Sequence, residues 1–214
     1  MGKLYDATWG RAFSALYDRV LKATEEAGLR DMRRRTLAAA SGRTLEIGAG
    51  TGANLGLHPE AVSDLVLAEP DPHMTKRLRR HVAEQGVEAE IVEAPAERLP
   101  FEDSSFDTAV FTLVLCTVPD PGAALAEAAR VLKPSGKLLF LEHVRSRDPG
   151  LATWQDRFAR PWRFVNDGCN CNRDTVANLE SSPFDLEGIE HERMPKAPPV
   201  VRPVIRGSAT RAAA

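Results

Sequence analysis

Gly48, Gly50 and Gly52 fall at every second position behind a short strand-like run at 44–47. Glycine at such spacing lets the backbone approach a ligand with no Cβ in the way. The G-x-G-x-G pattern differs from the G-x-G-x-x-G of dinucleotide sites, whose pyrophosphate rests on a helix N-terminus. No Gly-Lys-Ser/Thr follows, so a phosphate-cradling P-loop is excluded. Glu46 stands just before the loop, and Ala49 and Asn54 complete it. A carboxylate in that place would repel a pyrophosphate and favour a cationic ligand. A helix is expected after the loop, with its unbonded N–H groups aimed at the ligand.

Glu69 closes the next strand-like run, followed by Pro70. An acid there, in an open α/β sheet, accepts hydrogen bonds from vicinal ribose hydroxyls. A ribose with a cationic neighbour and no pyrophosphate describes S-adenosylmethionine. Other groups could act on an acceptor. His143 ends the fifth strand-like run, at the edge where open parallel sheets expose their ligand sites, and is the candidate base. Cys116 lies past the fourth run at the same edge, as a pocket-filling apolar residue or a substrate contact. Asp167 could orient or deprotonate an acceptor, although Asp-Gly also marks a plain turn. Trp154, Phe158 and Trp162 recur every four residues, as a core stripe or as a cover over an apolar substrate. Cys169 and Cys171 form C-x-C, which lacks the spacing and second ligand pair of a zinc site, so no metal is expected. His58, His73, His81 and His191 are scattered and read as surface histidines.

Helical spacing of Trp9, Phe13, Leu16, Tyr17, Val20 and Leu21, closed by Gly28, predicts an amphipathic helix, and 30–40 predicts a second. The triplet Arg33-Arg34-Arg35 reads as a solvated face, with a patch for phosphate or an anionic membrane surface as the alternative. Strand-like runs at 44–47, 65–68, 89–92, 106–113 and 137–143 then alternate with helices, two of them opened by Asp71-Pro72 and Asp120-Pro121. This predicts an α/β fold with a doubly wound, mostly parallel sheet covered on both faces. A turn is expected at 133–136. Runs at 184–193 and 200–206 have no full helix between them, and Pro195, Pro198, Pro199 and Pro203 suit an antiparallel pair at the edge. The expected division is a helical extension at 1–41, one domain at 42–207 and a frayed tail at 208–214.

The chain has 214 residues, enough for one sizeable core. Its net charge of −2 offers no bulk attraction to nucleic acid. No apolar run approaches the ~18–20 residues of a membrane span. The N-terminus lacks the pattern of a signal peptide, and three cysteines over so long a chain do not make a disulfide framework. A cytoplasmic location is the expectation.

Across 42–145 the sequence resembles the class I S-adenosylmethionine-dependent methyltransferases. The resemblance implies that Glu46, Gly48, Ala49, Gly50 and Gly52 line the methionine end and that Glu69 binds the ribose. It implies that "APAERLPF" at 94–101 holds the adenine, through the Ala96 N–H and the Glu97 carboxylate. An acid usually stands where this chain has Pro95. Asn54, Pro70, Thr112 and Leu113 complete the implied cofactor wall. A narrower resemblance rests on "TLVLCTV" (112–118), "EHV" (142–144), "DGC" (167–169) and "RDT" (173–175). These are similar to thiol S-methyltransferases of the microsomal membrane and their soluble bacterial relatives. The membrane-bound members begin with an apolar anchor, which this sequence does not show.

The resemblance therefore implies methyl transfer from S-adenosylmethionine to a small molecule, with an apolar thiol as first acceptor. Such an in-line displacement is mostly positioning and desolvation. A thiol near pKa ~8.5 supplies some thiolate unaided, whereas a phenol or ammonium needs a base more urgently. N- or O-methylation of a phospholipid headgroup or natural product, and a cofactor-binding module without catalysis, remain as alternatives.

Overall fold

The computed structural model describes residues 22–166 and 168–212. The expected helix over Trp9 to Leu21, and Asp167, lie outside the described residues. Seven strands form one sheet in the order β3-β2-β1-β4-β5-β7-β6. They are β1 (Gly42–Ile47), β2 (Val62–Ala68), β3 (Glu90–Val92), β4 (Phe106–Thr112), β5 (Leu132–His143), β6 (Phe184–Arg193) and β7 (Pro203–Arg211). The first five run parallel, and β7 pairs antiparallel with both β5 and β6. The strand order reverses between β1 and β4, which opens a crevice at their carboxyl ends.

Among the described residues, five α-helices lie beside the sheet: α1 (Arg30–Leu37), α2 (Pro72–Gln85), α3 (Pro121–Val131), α4 (Pro149–Val165) and α5 (Thr175–Glu180). A π-turn at Glu25–Leu29 precedes α1. Starting signals are repeated. Asp71, Asp120 and Asp148 each accept first-turn N–H groups, with proline in the turn that follows. Strand alternation sorts the core. Leu45, Ile47, Ala109, Phe111 and Phe140 pack on one face with Ala124 and Leu125 of α3 and Leu179 of α5. Val110 and Leu139 point to the other face, where Leu37 of α1 packs. Leu65 and Leu67 join Leu78 of α2 there.

Three local expectations are corrected. No helix follows the glycine loop. Residues 50–57 form turns closed by Gly52 N–H to Ala49 O, Leu55 N–H to Gly52 O and Leu57 N–H to Asn54 O. Gly50, Gly52 and Gly56 all have positive φ, which a right-handed helix cannot contain. The turn at 133–136 is a bulge inside β5, looped out between Leu132 and Lys137 opposite the single residue Asp107. The tail is not frayed from 208 onward. Ser208, Ala209 and Thr210 pair with Leu139, Leu138 and Lys137, because β7 is sandwiched between two strands.

Candidate active site

A cavity of about 710 Å³ opens above the carboxyl ends of β1, β2, β4 and β5. Gly48, Gly50, Glu69, Pro70, Ala96 and Glu97 line one end. The Gly48 and Ala49 amides both donate to the Ala68 carbonyl, at 2.8 and 3.0 Å, which bends the loop back over β2. Gly50 N–H then donates to Glu69 Oε2 at 2.8 Å, and Asp71 N–H to Oε1 at 2.9 Å. These bonds fix the carboxylate, an acceptor-only group, at the cavity wall. A Cβ on Gly50 would meet nothing within 4 Å and would project into the cavity at φ +59. The space that this glycine leaves open, beside a fixed carboxylate, fits the methionine and ribose parts of S-adenosylmethionine.

The 94–101 loop forms the floor and is clamped from α3. Glu127 accepts from Leu99 N–H at 2.7 Å, while Arg130 donates to the Leu99 and Phe101 carbonyls and to Glu127. Arg130 chiefly, aided by the Leu99 amide, holds the Glu127 carboxyl below its ordinary range.

Glu46 lies behind this surface, within the protein. Its Oε1 accepts from Asn54 Nδ2 at 3.0 Å, which also donates to Thr112 Oγ1, and Arg33 donates to Asn54 Oδ1. His58 Nε2 sits 3.2 Å from Glu46 Oε2 but out of line for a hydrogen bond. Of the expected cofactor residues, Glu46, Ala49, Gly52, Asn54 and Thr112 are thus not brought to the cavity wall. They brace the loop that is. Charge explains the difference: a buried carboxylate takes the nearest donors, here an amide that Arg33 orients. Arg33 is only 2% exposed, so the basic triplet is not one surface. Arg34 pairs with Asp31, and Arg35 with Glu192. His58 is likewise not a surface histidine.

At the other end, Leu113, Cys116, His143, Trp162 and Cys169 line the cavity. Leu113 has φ +62, a strained turn out of β4 that aims the 114–118 loop across the crevice. Glu142, fully buried, accepts from Val114 N–H at 2.8 Å through Oε1, while its Oε2 is buried without a hydrogen-bond partner. Burial pushes its carboxyl up to about 7. Asn170 donates to the Cys116 carbonyl from both its backbone and its side chain, and Arg173 donates to the Leu115 and Val118 carbonyls. Gln155 of α4 joins the Val144, Cys171 and Val200 carbonyls. The result brings Cys116 Sγ to 3.5 Å and Cys169 Sγ to 3.6 Å from His143 Nδ1, with the sulfurs 3.7 Å apart. None of the three cysteines forms a disulfide. Contact with Cys169, followed by burial, pushes the Cys116 thiol well above its ordinary value. His143 Nε2 is buried without a hydrogen-bond partner.

The aromatic stripe divides. Trp162 lines this cavity, whereas Trp154 and Phe158 stack on each other at 5.4 Å and line a second, outer groove of about 580 Å³ with Trp162. Helix α4 runs through Pro161 without ending. Glu142, Arg173, Gln155 and the clamp of Glu127 and Arg130 carried no signal that singled them out beforehand. Glu142 and Arg173 stand inside the quoted segments "EHV" and "RDT".

A cofactor groove at the switch point of a doubly wound sheet, with a glycine loop and a ribose-competent acid, defines a class I S-adenosylmethionine-dependent methyltransferase. Residues 45–140 match the family model described as a methyltransferase domain. The chain is 40% identical over 185 residues to the thiol S-methyltransferase TMT1B of Homo sapiens, covering 82% of this chain and 74% of that one. It is 38% identical over 136 residues to a phosphatidylethanolamine N-methyltransferase of Cereibacter sphaeroides, covering 60% and 65%. Among solved structures, a Thermotoga maritima S-adenosylmethionine-dependent methyltransferase superposes with a TM-score of 0.68 at 23% identity, covering 95% and 99%, and supports the fold. The chain belongs to the class I methyltransferases, in the family that includes thiol S-methyltransferase TMT1B. It is an enzyme that transfers a methyl group from S-adenosylmethionine to a small-molecule acceptor. Among the described residues no helix is long and apolar enough to cross a membrane.

Proposed function

We propose that the acceptor is an apolar thiol and that it lies at the Cys116, His143 and Trp162 end of the cavity. The observation that carries this reading is the character of that wall. Leu113, Val114, Met194, Ala197 and Val201 make it apolar, and among the described residues no carboxylate is available there. Glu69 and Glu97 stand at the opposite end, and Glu142 is fully buried, with Oε1 on the Val114 amide. His143 offers no open nitrogen, since Nδ1 faces two sulfurs and Nε2 is buried. A mostly apolar wall, with no carboxylate or open imidazole among the described residues, suits an acceptor that forms its own nucleophile. A thiol near pKa ~8.5 does so at neutral pH, and a phenol near ~10 or an ammonium does not. The reported acceptor of the TMT1B relative, named as a thiol, agrees.

When bound, S-adenosylmethionine supplies an electrophilic methyl group on a sulfonium. This chain's residues do the rest. Gly48 and Gly50 leave room for the methionine part, Glu69 accepts from the ribose, and the Ala96 and Glu97 turn borders the adenine position. Trp162 and the apolar wall exclude water, which otherwise solvates a thiolate and blunts its attack.

The test is turnover with matched apolar thiols, phenols and amines at neutral pH. The thiols are methylated at least about tenfold faster, as expected from their larger anionic fraction. Preference for a phenol or amine at neutral pH would overturn the acceptor assignment and leave the cofactor groove intact.

A further inference from the structure

We propose that Cys116, His143 and Cys169 form a binding site for a thiophilic divalent cation, zinc by its chemistry, with its open position facing the cavity. Among the described residues this is the one cluster of three side chains able to ligate a single ion, and all three are buried. The three donors come from three segments: the loop after β4, the end of β5 and the loop before α5. They correspond one each to "TLVLCTV", "EHV" and "DGC".

Geometry carries the argument. Tetrahedral zinc with Zn–S of about 2.3 Å and Zn–N of about 2.0–2.1 Å sets sulfur–sulfur edges near 3.8 Å and sulfur–nitrogen edges near 3.6 Å. The observed edges are 3.7 Å between the sulfurs and 3.5 and 3.6 Å from each sulfur to Nδ1. One face of the tetrahedron is therefore already laid out. A disulfide would require the sulfurs about 2.05 Å apart. Two thiolates and a neutral imidazole neutralise a divalent cation, so the loaded site buries no net charge. Three protein ligands with a vacant fourth position is the arrangement of a catalytic rather than a structural zinc. The C-x-C motif does not supply the pair: Cys171 Sγ turns away to the Gln155 carbonyl.

All three ligands line the cavity assigned to the acceptor, so the fourth position is open to an acceptor thiol. On coordination the acceptor's S–H bond breaks, its proton passes to solvent, and a sulfur–metal bond forms. This second claim rests on the thiol reading above; the metal site itself does not.

The test is titration of the reduced full chain with cobalt(II), followed by displacement with zinc(II). Expected are about one cobalt per chain, a thiolate-to-cobalt charge-transfer band and the strong visible bands of tetrahedral cobalt. Cys116→Ser and Cys169→Ser lose the charge-transfer intensity, His143→Gln loses the tetrahedral bands, and Cys171→Ser keeps both. Binding of S-adenosylhomocysteine reports that each variant is folded. A folded, reduced wild-type chain without the charge-transfer band overturns the site, and this reading needs no variant. So does a band that survives Cys116→Ser together with Cys169→Ser. Adding an apolar thiol to the cobalt form is expected to raise the charge-transfer intensity. An unchanged spectrum under conditions where that thiol is methylated overturns the acceptor claim alone. Failure to methylate thiols with the cobalt bands present overturns the thiol reading and leaves the metal site.

Discussion

At one end of the cavity, Gly48, Gly50, Glu69 and Pro70 come from two adjacent strands and the turns that leave them. At the other, Cys116 and Cys169 stand 53 positions apart, with His143 between them on a third element. The first end is made largely of backbone: its work is done by amides, positive φ and one carboxylate. The second is made of side chains held by buried polar ties, namely Glu142 on the Val114 amide, Arg173 on two carbonyls and Gln155 on three. A local turn is specified by its own glycines. A wall assembled from distant loops stands only while its ties do, so the two ends should fail to different substitutions.

The sharpest separation is Gly50→Val. A branched side chain at φ +59 would fill the open space of the loop. Affinity for S-adenosylhomocysteine should fall by about a hundredfold or more, roughly 2.7 kcal/mol, by calorimetry. Wild-type affinity would show that this end does not hold the cofactor.

Glu142→Ala tests the opposite end. It strips the acceptor from the buried Val114 amide and should cost about 2–3 kcal/mol in denaturant unfolding. Glu142→Gln keeps an acceptor and should lose about 1 kcal/mol or less, because burial has already made the neutral form accessible near pH 7. Equal losses would show that charge, not capping, is what this residue contributes.

Glu127→Gln probes the floor beneath the first end. Arg130 lowers the folded-state pKa of Glu127, so its contribution is fully present above the unfolded carboxylate value of about 4.3. It is lost as pH falls through the lower folded value. The variant should therefore be about 1–1.5 kcal/mol less stable than wild type at neutral pH. The gap should close as unfolding is measured at progressively more acid pH. A gap that persists undiminished in acid would rule out the ion pair as its source.

The smallest effects should come from the aromatic stripe. Trp162→Ala, at the wall of both spaces, should raise KM for an apolar thiol by about tenfold, or 1.4 kcal/mol. Trp154→Ala, in the outer groove, should change it by less than about twofold. Equal effects would mean that acceptor enters through the outer groove.

Sequence periodicity was sufficient for the alternating elements, because strand and helix patterns and the Asp-Pro starts are local. It also led to Glu69, Gly50 and His143, which stand at strand ends or in the turn beside them. It overreached where a local rule met a tertiary competitor. The glycine loop was expected to start a helix, but repeated positive φ keeps residues 50–57 in turns. Glu46 was expected to face the ligand, but its carboxylate lies behind the loop, bonded to Asn54. Ser208 onward looked low in complexity, yet β5 and β6 supply partners on both sides.

The residues by themselves determined the alternation of strands and helices, the glycine loop and its acid, since each follows from short-range backbone preference and from burial at period two. Only the tertiary structure decided that Cys116, His143 and Cys169 meet, and that Cys171 does not join them. Spacing along a chain limits which donors can meet. Which of them do is set by the pairing of β4 with β5 and by the polar ties that fold two loops over their ends.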